Sequence, residues 1–290
     1  MSGGNREQVR DFLISRRAKI TPQQAGLQYY GGNRRVPGLR REEVAMLAGL
    51  SVDYYARLEK GTIAGVSETV LHAVADALHL DEAERNYLFD LARAANASSR
   101  APRRPRAQRV RPTIQRMLDG MTTTPAFVRN GRLDLLAANV LGRALYAPAF
   151  ESPVNIPNQP PNLARFRFLD PAARTFYSEW EESANSNVAL LRTEAGRDPY
   201  NKDLTDLIGE LSTRSEDFRT RWAAQNVRLH RTGVKKFHHP VVGDLVLDYE
   251  AMELSADAGL TLTAYSAEPS TPSAEALDLL GSWATTPSHH

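Results

Sequence analysis

The stretch from Arg40 to Gly61 limits the fold more than any other part of the chain, because it joins two short helical patterns across a single Ala48-Gly49-Leu50-Ser51 turn. Val44, Leu47 and Ala48 repeat at the i, i+3, i+4 spacing of one buried stripe, and Gly49 turns the chain at low steric cost. Ser51 is a natural N-cap for the second helix, its hydroxyl placed to accept from a free backbone N–H of the first turn. On a wheel of ~100° per residue, Val52, Tyr55, Leu58 and Glu59 fall on one side. Asp53, Ala56, Arg57 and Lys60 fall on the other, with Tyr54 between. Gly61 ends the pattern where a left-handed residue is expected. The stretch therefore reads as a helix-turn-helix whose second helix hides one face and displays the other.

The residues Glu43, Val44, Ala45, Ala48-Gly49-Leu50-Ser51 and Leu58-Glu59-Lys60-Gly61 resemble the Xre-type, lambda-repressor-like helix-turn-helix family. That resemblance implies a five-helix DNA-binding domain. It places Ser51, Val52, Asp53, Tyr54, Ala56, Arg57 and Lys60 at the DNA, with Arg57 suited to a guanine and Asp53 to a cytosine amino group. Arg41 stands where the family usually has a phosphate-binding Gln. An Arg of the first helix commonly pairs with the Glu matched by Glu59, which leaves Arg16 and Arg17 as the two candidates.

The flanks agree with this reading. Residues 5–19 put Val9, Phe12 and Leu13 on one stripe of a first helix. Ser67 can open a helix through Leu78 lined by Val70, Leu71 and Val74, and Asp81 with Glu84 forms a capping box for a helix through about Ala95. Residues 20–39 form a longer, turn-rich connection than the family's usual one; Arg34 and Arg35 there either touch phosphates or are solvated. His72 and His79 have no partners at metal-ligand spacing and read as surface residues.

Charge divides the chain. Residues 1–112 hold 19 Lys/Arg against 12 Asp/Glu, whereas residues 113–290 hold 17 against 22, so a formal net charge of +2 hides a basic first part and an acidic second. With 31 Arg and 5 Lys the basic residues reflect genomic base composition first and phosphate chemistry second. There is no cysteine, which excludes disulfides and thiolate metal sites. No apolar run approaches the ~18 residues of a membrane span, and no signal segment opens the chain, so a cytosolic protein is expected. Residues 96–112, with six arginines and three prolines, read as a linker: a tether or a phosphate-contacting arm. The expected division is a DNA-binding domain at 1–95, this linker, and a second domain at 113–290.

The second domain opens with a short helix at 113–120. Next comes a hairpin, in which Asn130-Gly131 favours a tight type I′ turn, then a helix from Asn139 to about Tyr146 and a proline-rich loop at 147–162. Helical patterns run from Asp170 to about Arg231, broken near Gly196–Pro199 and Ser212–Ser215. Strands are expected at 227–230, 235–238, 244–252 and 260–265, and a closing helix at 273–284. His289-His290 reads as a fusion scar.

This order, with Leu133–Tyr146, Asn162–Phe166, Asp170-Pro171, Tyr177–Trp180, Val188–Arg192, Gly196, Pro199, Ser215–Phe218, Trp222 and His239–Leu245, resembles the MmyB-like ligand-binding domain. The resemblance implies an α+β, PAS-like fold, an antiparallel sheet with helices closing a pocket on one face, and a small apolar or acyl-chain ligand. Phe166, Tyr177, Trp180, Val188, Leu191, Phe218 and Trp222 are the expected lining, with Asn139, Arg192 and His238 as polar anchors; plain core packing is the competing reading for each aromatic. No nucleophile elbow, zincin, Walker or dinucleotide motif occurs, so no catalysis, cofactor or metal is expected. The expectation is a homodimeric regulator that binds double-stranded operator DNA and responds to a small ligand. The alternative is an adaptor whose second domain serves only dimerisation or protein contacts.

Overall fold

The computed structural model describes residues 3–27, 36, 38–97, 109–227 and 232–285. Most of the Arg/Pro-rich linker, Arg34, Arg35 and the terminal histidines lie outside the described residues.

Two compact units emerge, and neither is one continuous piece of chain. Unit 1 comprises residues 1–104, 192–205 and 221–229; unit 2 comprises 105–191, 206–220 and 230–290.

Unit 1 begins with five helices, α1 (Gly3–Lys19), α2 (Arg41–Leu47), α3 (Val52–Glu59), α4 (Glu68–Ala77) and α5 (Glu82–Asn96). Their boundaries reflect local chemistry. Ser51 Oγ accepts from Tyr54 N–H at 3.2 Å and Ser67 Oγ from Val70 N–H at 3.4 Å. Asp81 and Glu84 close the expected capping box. Gly49 and Gly61 take φ of +64° and +92°, the left-handed conformation each helix end requires. Val9, Phe12, Leu13, Val44, Ala45, Tyr55, Leu58, Leu71, Val74, Tyr87, Leu88 and Leu91 share one core.

Val227 joins that same core. The strand expected at 227–230 lies largely outside the described residues, but Val227 itself packs with helices. Gly196 also belongs to this unit, where it meets the Tyr87 ring.

Unit 2 is built on a five-stranded antiparallel sheet in the order β2-β1-β5-β4-β3, from β1 (Ala126–Asn130), β2 (Leu135–Ala138), β3 (Thr232–His239), β4 (Gly243–Glu253) and β5 (Leu260–Ser266). Period-2 alternation is plain in β4, where Leu245, Leu247 and Tyr249 are buried and Val246, Asp248 and Glu250 exposed. Helix α6 (Pro112–Gly120) lays Ile114 and Leu118 against Ala126, Val128, Leu260 and Leu262 on one sheet face. The chain between β2 and β3 forms α7 (Val140–Leu145), α8 (Ala147–Phe150), α9 (Leu163–Leu169), α10 (Ala172–Phe176), α11 (Trp180–Arg197), α12 (Lys202–Arg214) and α13 (Glu216–Ala223); α14 (Pro272–Thr285) closes it. By unit membership α11 changes over between Leu191 and Arg192.

The β1–β2 connection differs from the tight type I′ turn expected of Asn-Gly. The ladder stops at Arg129↔Leu135, the register shifts between Val128 and Arg129, and Leu133 rather than Gly131 takes positive φ, at +68°. The cause is a polar knot: Asn130 Oδ1 accepts from Arg132 and Asp134 N–H, while Asp134 accepts from Asn130, Arg132 and Asn162 side chains. Those bonds hold a wider loop than a two-residue turn permits.

Candidate functional sites

The sequence makes α3 amphipathic, and the structure keeps that division. Tyr55, Leu58 and Glu59 are buried; Ser51, Asp53, Arg57 and Lys60 are exposed, and Tyr54 and Ala56 half-buried. Val52, on the apolar side of the wheel, is instead 48% exposed. Arg57 lies 5.4 Å from the centroid of the Tyr54 ring, a cation–π contact that steadies a long side chain at the surface.

Glu59 is the hinge of this unit's electrostatics. Its side chain is 1% exposed and takes Arg17 at 2.7 Å on one oxygen and Arg41 on the other. Of the two candidates it is therefore Arg17 that pairs with Glu59; Arg17 also donates to Leu39 carbonyl at 2.8 Å. Arg16 points elsewhere, to Glu84 at 2.5 Å and the Gln225 carbonyl. The Arg41 guanidinium, half exposed, is held more firmly protonated by its bond to Glu59. One edge of it is thus fixed while the rest faces solvent. Burial, with the Glu59 charge second, pushes the Tyr55 hydroxyl far above its usual range.

In unit 2 the aromatic residues named from sequence are buried as expected, but they divide between sites. Phe166 and Tyr177 join Phe127, Tyr146, Phe176, Phe237 and Tyr265 in a chain of ring contacts with centroids 4.8–6.1 Å apart. Trp180 donates its indole N–H to the Arg167 carbonyl at 3.2 Å, and Phe218 packs edge-on against Phe168. Val188 and Leu191 are buried on α11.

Arg192 and Trp222 stand apart. Both belong to unit 1, where Arg192 stacks 4.0 Å from the Trp222 ring centroid and donates to the Trp222 carbonyl and to Gln225 Oε1. Desolvation lowers the Arg192 guanidinium from its usual range, and the Tyr87 hydroxyl beside it opposes that. The remaining polar anchors also have structural work. Asn139 caps α7: its Oδ1 accepts from Ala126 and Gly142 N–H, and its Nδ2 donates to the Met121 and Thr124 carbonyls. His238 is on the outer face of β3, paired with Asp244 at 2.7 Å. Its neighbour His239 points inward, donating Nε2–H to the Ala144 carbonyl at 3.1 Å and accepting Val241 N–H on Nδ1, and desolvation lowers its pKa.

The charged residue that sequence reasoning missed is Arg167. Its guanidinium lies 3.4 Å from the Tyr177 ring centroid and is 2% exposed. A signal was present, since Arg167 continues the Leu163–Phe166 stripe of α9 at i+3 and i+4, where an apolar residue would be expected.

A helix-turn-helix with a displayed polar face, on the same chain as an α+β sheet domain, defines a DNA-binding transcription regulator. Two family profiles agree: a helix-turn-helix domain matches residues 15–88, and the MmyB-like transcription regulator ligand binding domain matches residues 110–280. The chain belongs to the MmyB-like transcription regulator family. No curated protein matches it. Among the described residues, no helix is long and apolar enough to cross a membrane.

Proposed function

We propose that this regulator reads a specific operator in double-stranded DNA as a cytoplasmic homodimer and that a small apolar ligand in the C-terminal domain sets its affinity. The observation that carries the first part is the exposed face of α3. Val52, Asp53, Ala56 and Arg57 would meet base edges, with Ser51, Tyr54, Lys60 and Arg41 toward the backbone. Two such helices must meet half-sites about one DNA turn, ~34 Å, apart, which is why a dimer is the natural reader.

The second part is supported by the family of residues 110–280 and by the aromatic wall of unit 2, with Phe166, Tyr177, Trp180, Val188, Leu191 and Phe218 as lining. A ligand can act only by preferring one arrangement of the dimer, since equal affinity for both states shifts nothing. The test is operator affinity of the full-length protein against a panel of acyl and other apolar compounds, with the oligomeric state monitored by sedimentation. A saturable change in affinity supports a ligand sensor. Compounds that bind the protein yet leave operator affinity unchanged would favour an adaptor whose second domain serves contacts alone.

A further inference from the structure

The row of β3 side chains that faces the helices of unit 2 does not stay apolar. Alternate residues share a face, so Lys235 stands in the row of Phe237 and His239, opposite Leu247 of β4. Phe237 and His239 are buried, whereas Lys235 is half-buried. Two residues along β4 from Leu247, the Tyr249 ring has its centroid 5.4 Å from Lys235 Nζ. The chain just before α11 lies along the same strand: Ser178 donates its N–H to the Lys236 carbonyl at 3.2 Å, and Tyr177 bridges to Phe237.

The neighbours of Lys235 are cations. Burial brings its ammonium well below the usual range, and the charges of Arg167 and Arg129 push it further the same way. The amine therefore gives up its proton at a pH where an ordinary lysine, with a pKa of about 10.4, keeps it. No carboxylate is among the groups that act most strongly on Lys235 or on Arg167. Arg167 is 2% exposed, and its Nε and Nη1 and the Tyr177 hydroxyl are buried without a hydrogen-bond partner. A buried cation with idle donors is costly unless an anion meets it. A free-base amine and a shortage of negative charge thus occur at one place.

Solvent reaches Lys235 through a cleft of about 40 Å³, walled by Val234, Lys235 and Tyr249 on the sheet and by Glu182, Ser183 and Ser186 on α11. That is space for about three water-sized groups. A linear molecule of three heavy atoms fits it, and an uncharged one enters a cationic, desolvated site without the cost of stripping an ion of water. Of the two acids at the cleft, Glu179 is paired with Lys236 at 2.6 Å, and Glu182 acts on Lys236 and Tyr249.

We propose that Lys235 is a carbamylation site: its amine takes up dissolved carbon dioxide, and the carbamate so formed is held by Arg167. The nitrogen lone pair attacks the carbon and forms a C–N bond, one C–O π bond opens onto oxygen, and an N–H proton leaves to solvent through the cleft. A neutral amine becomes an anion among cations, and its oxygens supply the acceptors that Arg167 lacks, through charge-assisted hydrogen bonds. An ordinary lysine, protonated near neutral pH, has no lone pair to offer. The modification belongs to the protein's own side chain and is independent of any ligand that the domain binds.

The chain has only 5 Lys, so the reaction can be resolved site by site. The full-length protein is equilibrated with carbon-13 bicarbonate near neutral pH, alkylated with triethyloxonium to fix any carbamate as an ester, and mapped by peptide mass spectrometry. The ester is expected on Lys235, with a matching carbamate resonance in the carbon-13 spectrum. Lys235→Arg should abolish that resonance and Lys236→Met should leave it, with circular dichroism reporting the fold. Arg167→Gln should raise the bicarbonate needed for half-occupancy about tenfold or more. If Arg167→Gln does not fold, the map of the unaltered chain and Lys235→Arg decide. An ester found only on the terminal amine or on another lysine, a resonance that survives Lys235→Arg, or a folded Arg167→Gln chain that is equally occupied would overturn the proposal.

Discussion

The Tyr87 ring lies so close to the Gly196 backbone that a Cβ at position 196 would sit 2.4 Å from the ring edge. Tyr87 is completely buried and cannot retreat into solvent. In a helix interior Ala is ordinarily favoured over Gly by about 1 kcal/mol, but overpacking a rigid core costs about 1–3 kcal/mol. The clash should win, and Gly196→Ala should lower the melting temperature. Gly209 is the control, for a Cβ there meets nothing within 4 Å. Gly209→Ala should stabilise by about 0.5–1 kcal/mol. Calorimetry that found the two substitutions alike would show that the close approach has no energetic weight.

Glu59 gives the second prediction. Replacing it with Gln removes the charge shared by Arg17 and Arg41 and strands a largely buried guanidinium, so a loss of about 3 kcal/mol is expected in urea unfolding. Arg41→Ala removes only the exposed partner and should cost under about 1 kcal/mol of stability. Its effect belongs in DNA binding: all sequences weaken evenly and the salt slope falls by about 1. An unchanged slope would mean that the Glu59 bond occupies Arg41 fully.

Arg57→Ala should relax selectivity at one base position at a cost of about 1–3 kcal/mol in operator binding. Competition against random DNA is the check. Equal losses on operator and random sequence would make Arg57 a backbone contact.

Removing residues 113–290 should leave a weakened DNA-binding unit rather than an intact one. The truncated chain loses Val227 from its core, the Gln225 acceptor of Arg16 and the Gly196 surface under Tyr87. Burying a Val is worth about 1.5–3 kcal/mol and leaving a buried donor unpaired costs about 1–3 kcal/mol. Amide exchange in α1 and α5 should therefore be at least tenfold faster than in the full-length protein. Protection equal to the full-length value would show that residues 1–112 suffice.

His239 makes stability depend on pH. Its pKa is lowered in the fold by desolvation, so the unfolded chain takes the proton more readily. The stability it confers is complete above the unfolded value of about 6.5 and is lost as pH falls below that toward the lowered folded pKa. His239→Gln should flatten the melting-temperature profile between about pH 7 and 5.

What the sequence made legible was what short-range chemistry decides. The α3 faces, the Ser51 and Ser67 caps, the Asp81–Glu84 box and the breaks near Gly196 and Ser212–Ser215 all depend on residues within a few positions of one another. The choice between Arg16 and Arg17 could not be read that way, because adjacent helical residues point about 100° apart and only the packed partner reveals which one faces Glu59. Arg192 and Trp222 looked like pocket residues because a large side chain that packs well serves a pocket and an intramolecular stack alike, and here the two stack on each other. Arg167 and Lys235 were passed over because an Arg or Lys in an alternating or amphipathic pattern is ordinarily assumed to reach water.

The discontinuity of unit 1 bears on the order in which the chain can fold as it is made. The helix-turn-helix leaves the ribosome early, yet its core waits for Val227, roughly 130 residues after α5 ends. At about 5–20 residues per second that is a delay of roughly 6–26 s. A nascent chain thus carries α3 for many seconds before the unit around it is complete, and that unit is complete only once most of the ligand-binding sequence has been synthesised.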